Sequence, residues 1–158
     1  MAEYYPPVGF HFSVDFSEVS DESNDTRFQS VSGLDVELET ETIREGGENR
    51  FEHVLPLRSK YPNLTLKRGM LKDSKVIDWC LDAFNNLIIE PRSIVVKLLH
   101  FEKQEQDDEV TWEQKPLVSW NIVNAWPIKW NISDLSAEDS NLVIETIELR
   151  YQYFTIEK

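Results

Sequence analysis

Between Glu41 and Gly69 the chain reads ETIREGGENRFEHVLPLRSKYPNLTLKRG, and Pro56 and Pro62 rule out a helix through its middle. Gly46-Gly47 predicts a turn. The segment is also basic: residues 44–75 carry Arg44, Arg50, Arg58, Lys60, Lys67, Arg68, Lys72 and Lys75 against Glu45, Glu48, Glu52 and Asp73, a net +4 in a chain of net −13. The remainder therefore carries −17. A basic limb on an acidic body is drawn to the acidic surface of a second copy, with complementarity fixing partner and register more than affinity. Contacts of that head-to-tail kind close into rings or run on as filaments. Self-assembly is thus the first functional expectation, with Arg44, Glu48, Asn49, Arg50, Arg58, Lys60 and Tyr61 as the predicted subunit and ring contacts.

The flanking sequence alternates. Val8, Phe10, Phe12, Val14 and Phe16 share one face of a first strand, and the acidic, Ser/Asn-rich residues 18–26 read as a solvated loop. A second strand is expected from Phe28 to about Thr42, with Leu34, Val36 and Leu38 on the core side. Asp35, Glu37, Glu39 and Glu41 then lie together on the other face. Asn63 to Lys67 returns as a strand whose Thr65 and Lys67 could lie beside those carboxylates, making a hairpin with a very long tip. A structureless loop of about 20 residues is uncommon in a compact domain and is usually functional.

Asp73 or Ser74 caps the one clear helix, with Ile77, Cys80, Leu81, Phe84 and Ile88 at helical spacing and Pro91 closing the segment. Ser93 to Phe101 is a further strand, and EKQEQDDE after it reads as an exposed hairpin tip. Val118 to Ala125 and Leu142 to Phe154 supply the last strands, the latter with Ile147, Leu149, Tyr151 and Tyr153 on one face. The pattern is mainly β, about six or seven strands with one helix packed on a sheet, in a single domain spanning residues 1–158.

Candidate chemistry is sparse. The stripe Asp35, Glu37, Glu39 and Glu41 is open to three readings: metal site, acid/base pair, or a face turned to water. Same-face strand neighbours lie about 6.6 Å apart, too far for adjacent carboxylates to share an ion unaided, which favours the wet face. His11, His53 and His100 are scattered without an HExxH pattern or a nearby cysteine, so no metal is expected. Cys80 falls on the apolar side of the helix and reads as a core thiol rather than a nucleophile. GxSxG and phosphate-loop motifs are absent, so neither a catalytic residue nor a cofactor is expected. Trp112, Trp120, Trp126 and Trp130 crowd the C-terminal third, either as core and interface or as a platform of a monomeric β-barrel that binds a small ligand.

The net charge of −13 opposes stable nucleic-acid binding. With one cysteine, no intrachain disulfide can form. No apolar run approaches the roughly 18 residues of a membrane span, and the N-terminus lacks a basic region followed by an apolar one. Synthesis in the cytoplasm is expected, which leaves the sequons at Asn24, Asn63 and Asn131 without a glycosylation role.

The segments YPPVGFHF, FQSVSGLDVELETE, EGGENRFEHVLPLRSKYPNLTLKRG and WNIVNAWPIKW, spread from Tyr5 to about Phe154, resemble the tail-tube family of contractile phages and phage-like injection systems. The resemblance implies a β-sandwich or barrel-like subunit with one helix and a long hairpin loop. Six copies would form a ring whose sheets join into a continuous inner barrel. Rings would stack inside a contractile sheath, with sheath, baseplate and tube-initiator proteins as partners and cargo in the lumen. Asp35, Glu37, Glu39, Glu41, Thr65 and Lys67 would line that lumen. The type VI secretion ring protein is a more distant relative of the same design. Residues 100–115, HFEKQEQDDEVTWEQK, are longer and more acidic than the turn expected of the family, as in a subunit specialised to start the tube.

Overall fold

A computed structural model describes residues 11–18, 25–106 and 109–158, with the backbone alone over 103–106 and 109–110. Among them nine strands and one helix follow in order: β1 Phe12–Phe16, β2 Ser30–Ser32, β3 Glu37–Ile43, β4 His53–Lys60, β5 Leu64–Gly69, α1 Lys75–Asn86, β6 Arg92–Gln106, β7 Glu109–Ile132, β8 Ile144–Arg150 and β9 Tyr153–Glu157. Seven strands form one sheet in the order β1-β6-β7-β8-β5-β2, with β9 also on β7. β3 and β4 form a separate two-stranded sheet.

The large sheet curls because β7 serves both halves of it. Its first part pairs β6 and β9, and its second part, from Trp126 on, pairs β8. Between the two, Asn124 takes φ 52°, and its side-chain amide donates to Gln152 Oε1 at 2.9 Å. The result is a half-barrel curled around Val14, Phe16, Ile94, Val96, Ile122, Leu64, Leu66, Ile147 and Leu149. Alternation sets the inward stripes: β8 buries Glu145, Ile147 and Leu149, and β5 buries Leu64, Leu66 and Arg68.

Helix α1 covers one end of this core. Ser74 is its N-cap, accepting from the Ile77 amide at 3.3 Å, and Leu87 ends it in the left-handed conformation. Val76, Trp79, Cys80 and Ala83 are buried. The expected stripe was rotated: Ile77 and Leu81 sit at its flank, and Phe84 and Ile88 are exposed. Trp79, which also donates to the Glu90 carbonyl at 2.9 Å, supplies the bulk that the predicted face assigned to Phe84.

Several expected elements divide differently. β1 places Phe12, Val14 and Phe16 on the inner side as predicted, while Val8 and Phe10 lie outside the described residues. The single strand from Phe28 to Thr42 is two, β2 and β3, broken at Gly33, whose φ is +93° and whose carbonyl accepts from the Tyr151 hydroxyl at 3.0 Å. The structureless loop is a hairpin, since β4 runs back along β3. β5 does not join it: Thr65 faces Ser32 and Glu148, and Lys67 faces Ser30 and Thr146, so neither lies beside the carboxylates of β3. The charge run 102–109 closes the antiparallel β6–β7 hairpin, as expected, with the strands paired out to Gln106 and Glu109 and residues 107–108 outside the described ones. Tyr153 leaves the face of Ile147, Leu149 and Tyr151, because the chain bends at Gln152 and β9 moves to β7.

Gly33 makes a direct test of the break. A Cβ there would meet the Asn63 carbonyl oxygen at 2.0 Å, on a backbone that L-residues rarely adopt. Gly33→Ala is expected to lower unfolding stability by at least about 1–2 kcal/mol from the backbone conformation alone. A urea midpoint equal to that of the unmodified chain would contradict this reading.

Candidate assembly surface

Among the described residues the β3–β4 hairpin is paired only with itself, and every residue of β4 is exposed. An isolated two-stranded hairpin is marginal in water. Its side chains divide into two unlike faces. Directly paired residues share a face, and the pairs are Glu37–Lys60, Leu38–Ser59, Thr40–Pro56, Glu41–Leu55, Thr42–Val54 and Ile43–His53. An irregularity between Leu38 and Thr40 places Leu57 and Arg58 against Glu39 alone.

One face therefore carries Glu37, Glu39, Glu41, Arg58 and Lys60 among Ile43, Leu55 and Leu57. Arg58 Nε donates to Glu39 Oε2 across it at 3.1 Å. The other face carries Leu38, Thr40, Thr42, Val54, Pro56 and Ser59 and has no charge. Leu38 and Val54 are each 57% exposed on it, and Val36, just before β3, is 55% exposed. The apolar side of the acidic stripe was expected on the subunit's own core. Leu34 does pack there, but Val36 and Leu38 do not.

The basic limb also folds differently from the charge count. Its cations are distributed over separate elements: Lys67 lies on β5, and Arg68 is buried in the core. The hairpin itself, Glu37 to Lys60, holds six carboxylates against four Arg and Lys. Three of those cations have carboxylate partners within the hairpin. Arg44 Nε lies 2.7 Å from Glu52 Oε1, Arg50 Nε lies 3.0 Å from Glu48 Oε1, and Arg58 holds Glu39. The Arg50 guanidinium keeps the Glu48 carboxyl below its ordinary range through that side-chain hydrogen bond. Lys60 faces Glu37 in the strand register, and Asn49 sits at the exposed tip, beside the turn at Gly46-Gly47 with Gly47 at φ +98°. Tyr61 packs inward, its ring 5.9 Å from Tyr151 and 5.3 Å from Phe154, so it anchors the hairpin's root within the subunit. The uncharged face, rather than a positive patch, is what distinguishes this surface.

At the other end of β5 a buried charge cluster ties the fold together. Arg68 Nε donates to Glu145 Oε1 at 2.5 Å, and its Nη1 reaches Asp25 Oδ1 at 3.3 Å. Its Nη2 donates to the Ser74 hydroxyl at 2.6 Å, and that hydroxyl donates to Asp25 Oδ1 at 2.6 Å. Asp25 also accepts from the Lys75 amide at the start of α1, at 3.1 Å. The guanidinium stands 4.9 Å from the centre of the Phe28 ring. Asp25, expected in a solvated loop, is 2% exposed. One signal was readable: Arg68 continues the inward stripe Leu64-Leu66, Glu145 begins the stripe Ile147-Leu149, and β5 pairs Arg68 directly with Glu145.

The remaining candidates stay apart. Cys80 is buried, and burial pushes its thiol up to about 12. Native protein is therefore expected to leave Cys80 unlabelled by maleimide at neutral pH until denaturant is added. Full labelling of the folded chain would contradict that. Among the described residues no group of His, Cys, Asp and Glu is placed to hold a metal. Trp112 is 63% exposed near the far end of β7, Trp120 and Trp130 pack at the core's edge, and Trp130 Nε1 lies 3.5 Å from Glu145. Spread along one strand, they make no shared platform. Among the described residues, no helix is long and apolar enough to cross a membrane.

Comparison with known proteins adds a lineage. The sequence profile described as T4-like virus tail tube protein gp19 matches residues 8–155. A chain in the 6-fold symmetrised baseplate of the anti-feeding prophage superimposes with a TM-score of 0.80 at 27% identity, over 98% of this chain and 97% of that one. A chain from the tube-terminating cap of the same system gives 0.73 and 27%, over 99% and 94%. One from the extended sheath-tube complex of an extracellular contractile injection system, PVC, gives 0.73 and 24%, over 97% and 92%, and shares the fold. No curated protein sequence matches.

Proposed function

We propose that this chain, which belongs to the T4-like virus tail tube protein gp19 family, is a non-enzymatic subunit that assembles as stacked hexameric rings and builds the hollow tube of a contractile phage tail or injection system. The observation that carries the reading is the β3–β4 hairpin. It projects from the half-barrel with an uncharged, half-apolar face that its own subunit leaves exposed. Open strand edges and such a face are liabilities in a monomer. Both disappear when neighbours cover them, and a ring leaves no copy at an end.

The proposed partners follow from the relatives' settings, which include a sheath-tube complex, a baseplate and a tube-terminating cap. The subunit would be made in the bacterial cytoplasm and end in a tail or injection particle, with DNA or protein passing through the bore. With the uncharged face of the hairpin against a neighbour, the face bearing Glu37, Glu39 and Glu41 is left to water, and we assign it to the lumen. Repeated acidic belts would then discourage a polyanion from adsorbing to the wall, screened over about 8 Å at physiological salt.

Sedimentation across a wide concentration range tests the assembly. The expected result is a species of six chain masses at micromolar protein. A single species of 18.5 kDa at every concentration would overturn it.

A further inference from the structure

Among the described residues the two strands of the β3–β4 hairpin pair only with each other, so no neighbouring strand fixes its direction and its two stems do. Both stems meet three consecutive residues, 150–152, at the bend between β8 and β9. The Tyr151 hydroxyl donates to the carbonyl of Gly33 on the incoming stem at 3.0 Å. On the outgoing stem the Tyr61 ring packs 5.9 Å from that of Tyr151, and Arg150 Nη1 donates to Asn63 Oδ1 at 3.1 Å. Gln152 holds the corner of β7 instead. Its side-chain oxygen accepts from the Asn124 amide at 2.9 Å, and its backbone amide donates to the Val123 carbonyl at 3.1 Å.

That corner gives the half-barrel its bend. β7 leaves β9 after Val123 and takes up β8 at Trp126. Against β6 it carries one extra residue, since Ile94 faces Ile122 while Arg92 faces Ala125. An extra residue bends its strand. Asn124 stands there with φ 52°, in a left-handed conformation that asparagine tolerates better than most side chains.

We infer that residues 150–152 couple the direction of the hairpin to the bend of the half-barrel, so that the two change together. Tyr151 and Gln152 are adjacent on one backbone. A rotation that carries Gln152 away from Asn124 therefore carries Tyr151 with it, and the Gly33 carbonyl and the Tyr61 ring follow. The hairpin side of the link is stiff because it is close-packed: Tyr151 is 5% exposed, and Gly33 lies so near the Asn63 carbonyl that a Cβ has no room between the stems. The use of the coupling rests on the ring assembly proposed above. A ring closes only when every copy turns by the same angle. One link that sets hairpin and sheet together gives every copy that angle, and it makes Tyr151, Gln152 and Asn124 positioning residues.

Spin labels test the coupling within one subunit. Leu55→Cys on the charged face of the hairpin and Asn85→Cys on α1 are both exposed sites, and Cys80 is buried. The doubly labelled chain, diluted in excess unlabelled chain, reports the distance from hairpin to body by pulsed electron double resonance whether or not rings form. With no further change, one narrow distance distribution is expected. Tyr151→Phe, which loses the bond to Gly33, is expected to broaden it. Gln152→Ala is expected to broaden it as well, although the Gln152 side chain holds Asn124 rather than the hairpin. Gln152→Glu keeps an acceptor for the Asn124 amide and is expected to stay narrow. A narrow distribution in Gln152→Ala or in folded Tyr151→Phe overturns the coupling, as does one equally broad in Gln152→Ala and Gln152→Glu, or a broad one in the labelled parent. Gln152 is exposed, so its variants decide the matter where Tyr151→Phe does not fold. Sedimentation of the unlabelled chain reads the assembly separately: monomers at every concentration overturn the ring and leave the coupling standing.

Discussion

Replacing Arg68 by methionine is expected to cost about 3–5 kcal/mol of unfolding stability, because it leaves charged groups buried without a partner. The side chains of Arg68, Asp25 and Glu145 are 3%, 2% and 1% exposed, and the two carboxylates sit on either side of the one guanidinium. Methionine keeps the volume, so the loss reads electrostatics and hydrogen bonding rather than a cavity. The substitution also unties the Ser74 cap and Asp25 from β5, so α1 is expected to loosen from the half-barrel. Against a typical total of about 5–15 kcal/mol, the variant is then close to unfolding. Arg58→Met serves as the control: its ion pair with Glu39 is exposed, with the arginine side chain 86% accessible, and its loss is expected to cost no more than about 1 kcal/mol. Urea unfolding monitored by tryptophan fluorescence decides the matter, and equal midpoints for the two variants would show that the buried cluster is not what joins helix and sheet.

The second large effect is on assembly. Leu38→Asp combined with Val54→Asp places two carboxylates on the uncharged face of the hairpin, where a neighbour is expected to bury them. Burial of unpaired charges costs several kcal/mol each, enough to abolish a ring. Both residues are 57% exposed in the subunit, so its own unfolding midpoint should barely move. Leu55→Asp is the matched comparison. It adds a carboxylate at a residue 45% exposed on the opposite, charged face, and assembly is expected to survive. Loss of rings in both variants, or in neither, would contradict the division of the hairpin into a contact face and a wet face.

Period-two alternation located most strands, because a half-barrel with one buried face imposes it on β1, β5 and β8. It failed where the chain leaves that sheet. Leu34, Val36 and Leu38 look like one inward stripe, yet Gly33 breaks the strand, and only Leu34 reaches the core. An apolar stripe marks a face without saying whether the subunit's own core covers it. Summed charge misled for a related reason: residues 44–75 are contiguous in sequence, but Arg68 belongs to the core and Arg44, Arg50 and Arg58 to ion pairs within the hairpin. Asp25 was illegible because its burial depends on Arg68 and Ser74, more than 40 residues away, with no local pattern to report it. The helix boundary was readable from Ser74, but its buried face was not, since Trp79 rather than Phe84 turns inward.

Negative-stain electron microscopy of the purified chain at micromolar concentration bears most directly on the claim that this fold is an incomplete unit of a ring. The account predicts six-fold rings with an open bore, stacking into tubes at higher concentration. Fields of particles of single-subunit size at every concentration, with no ring in the class averages, would contradict it.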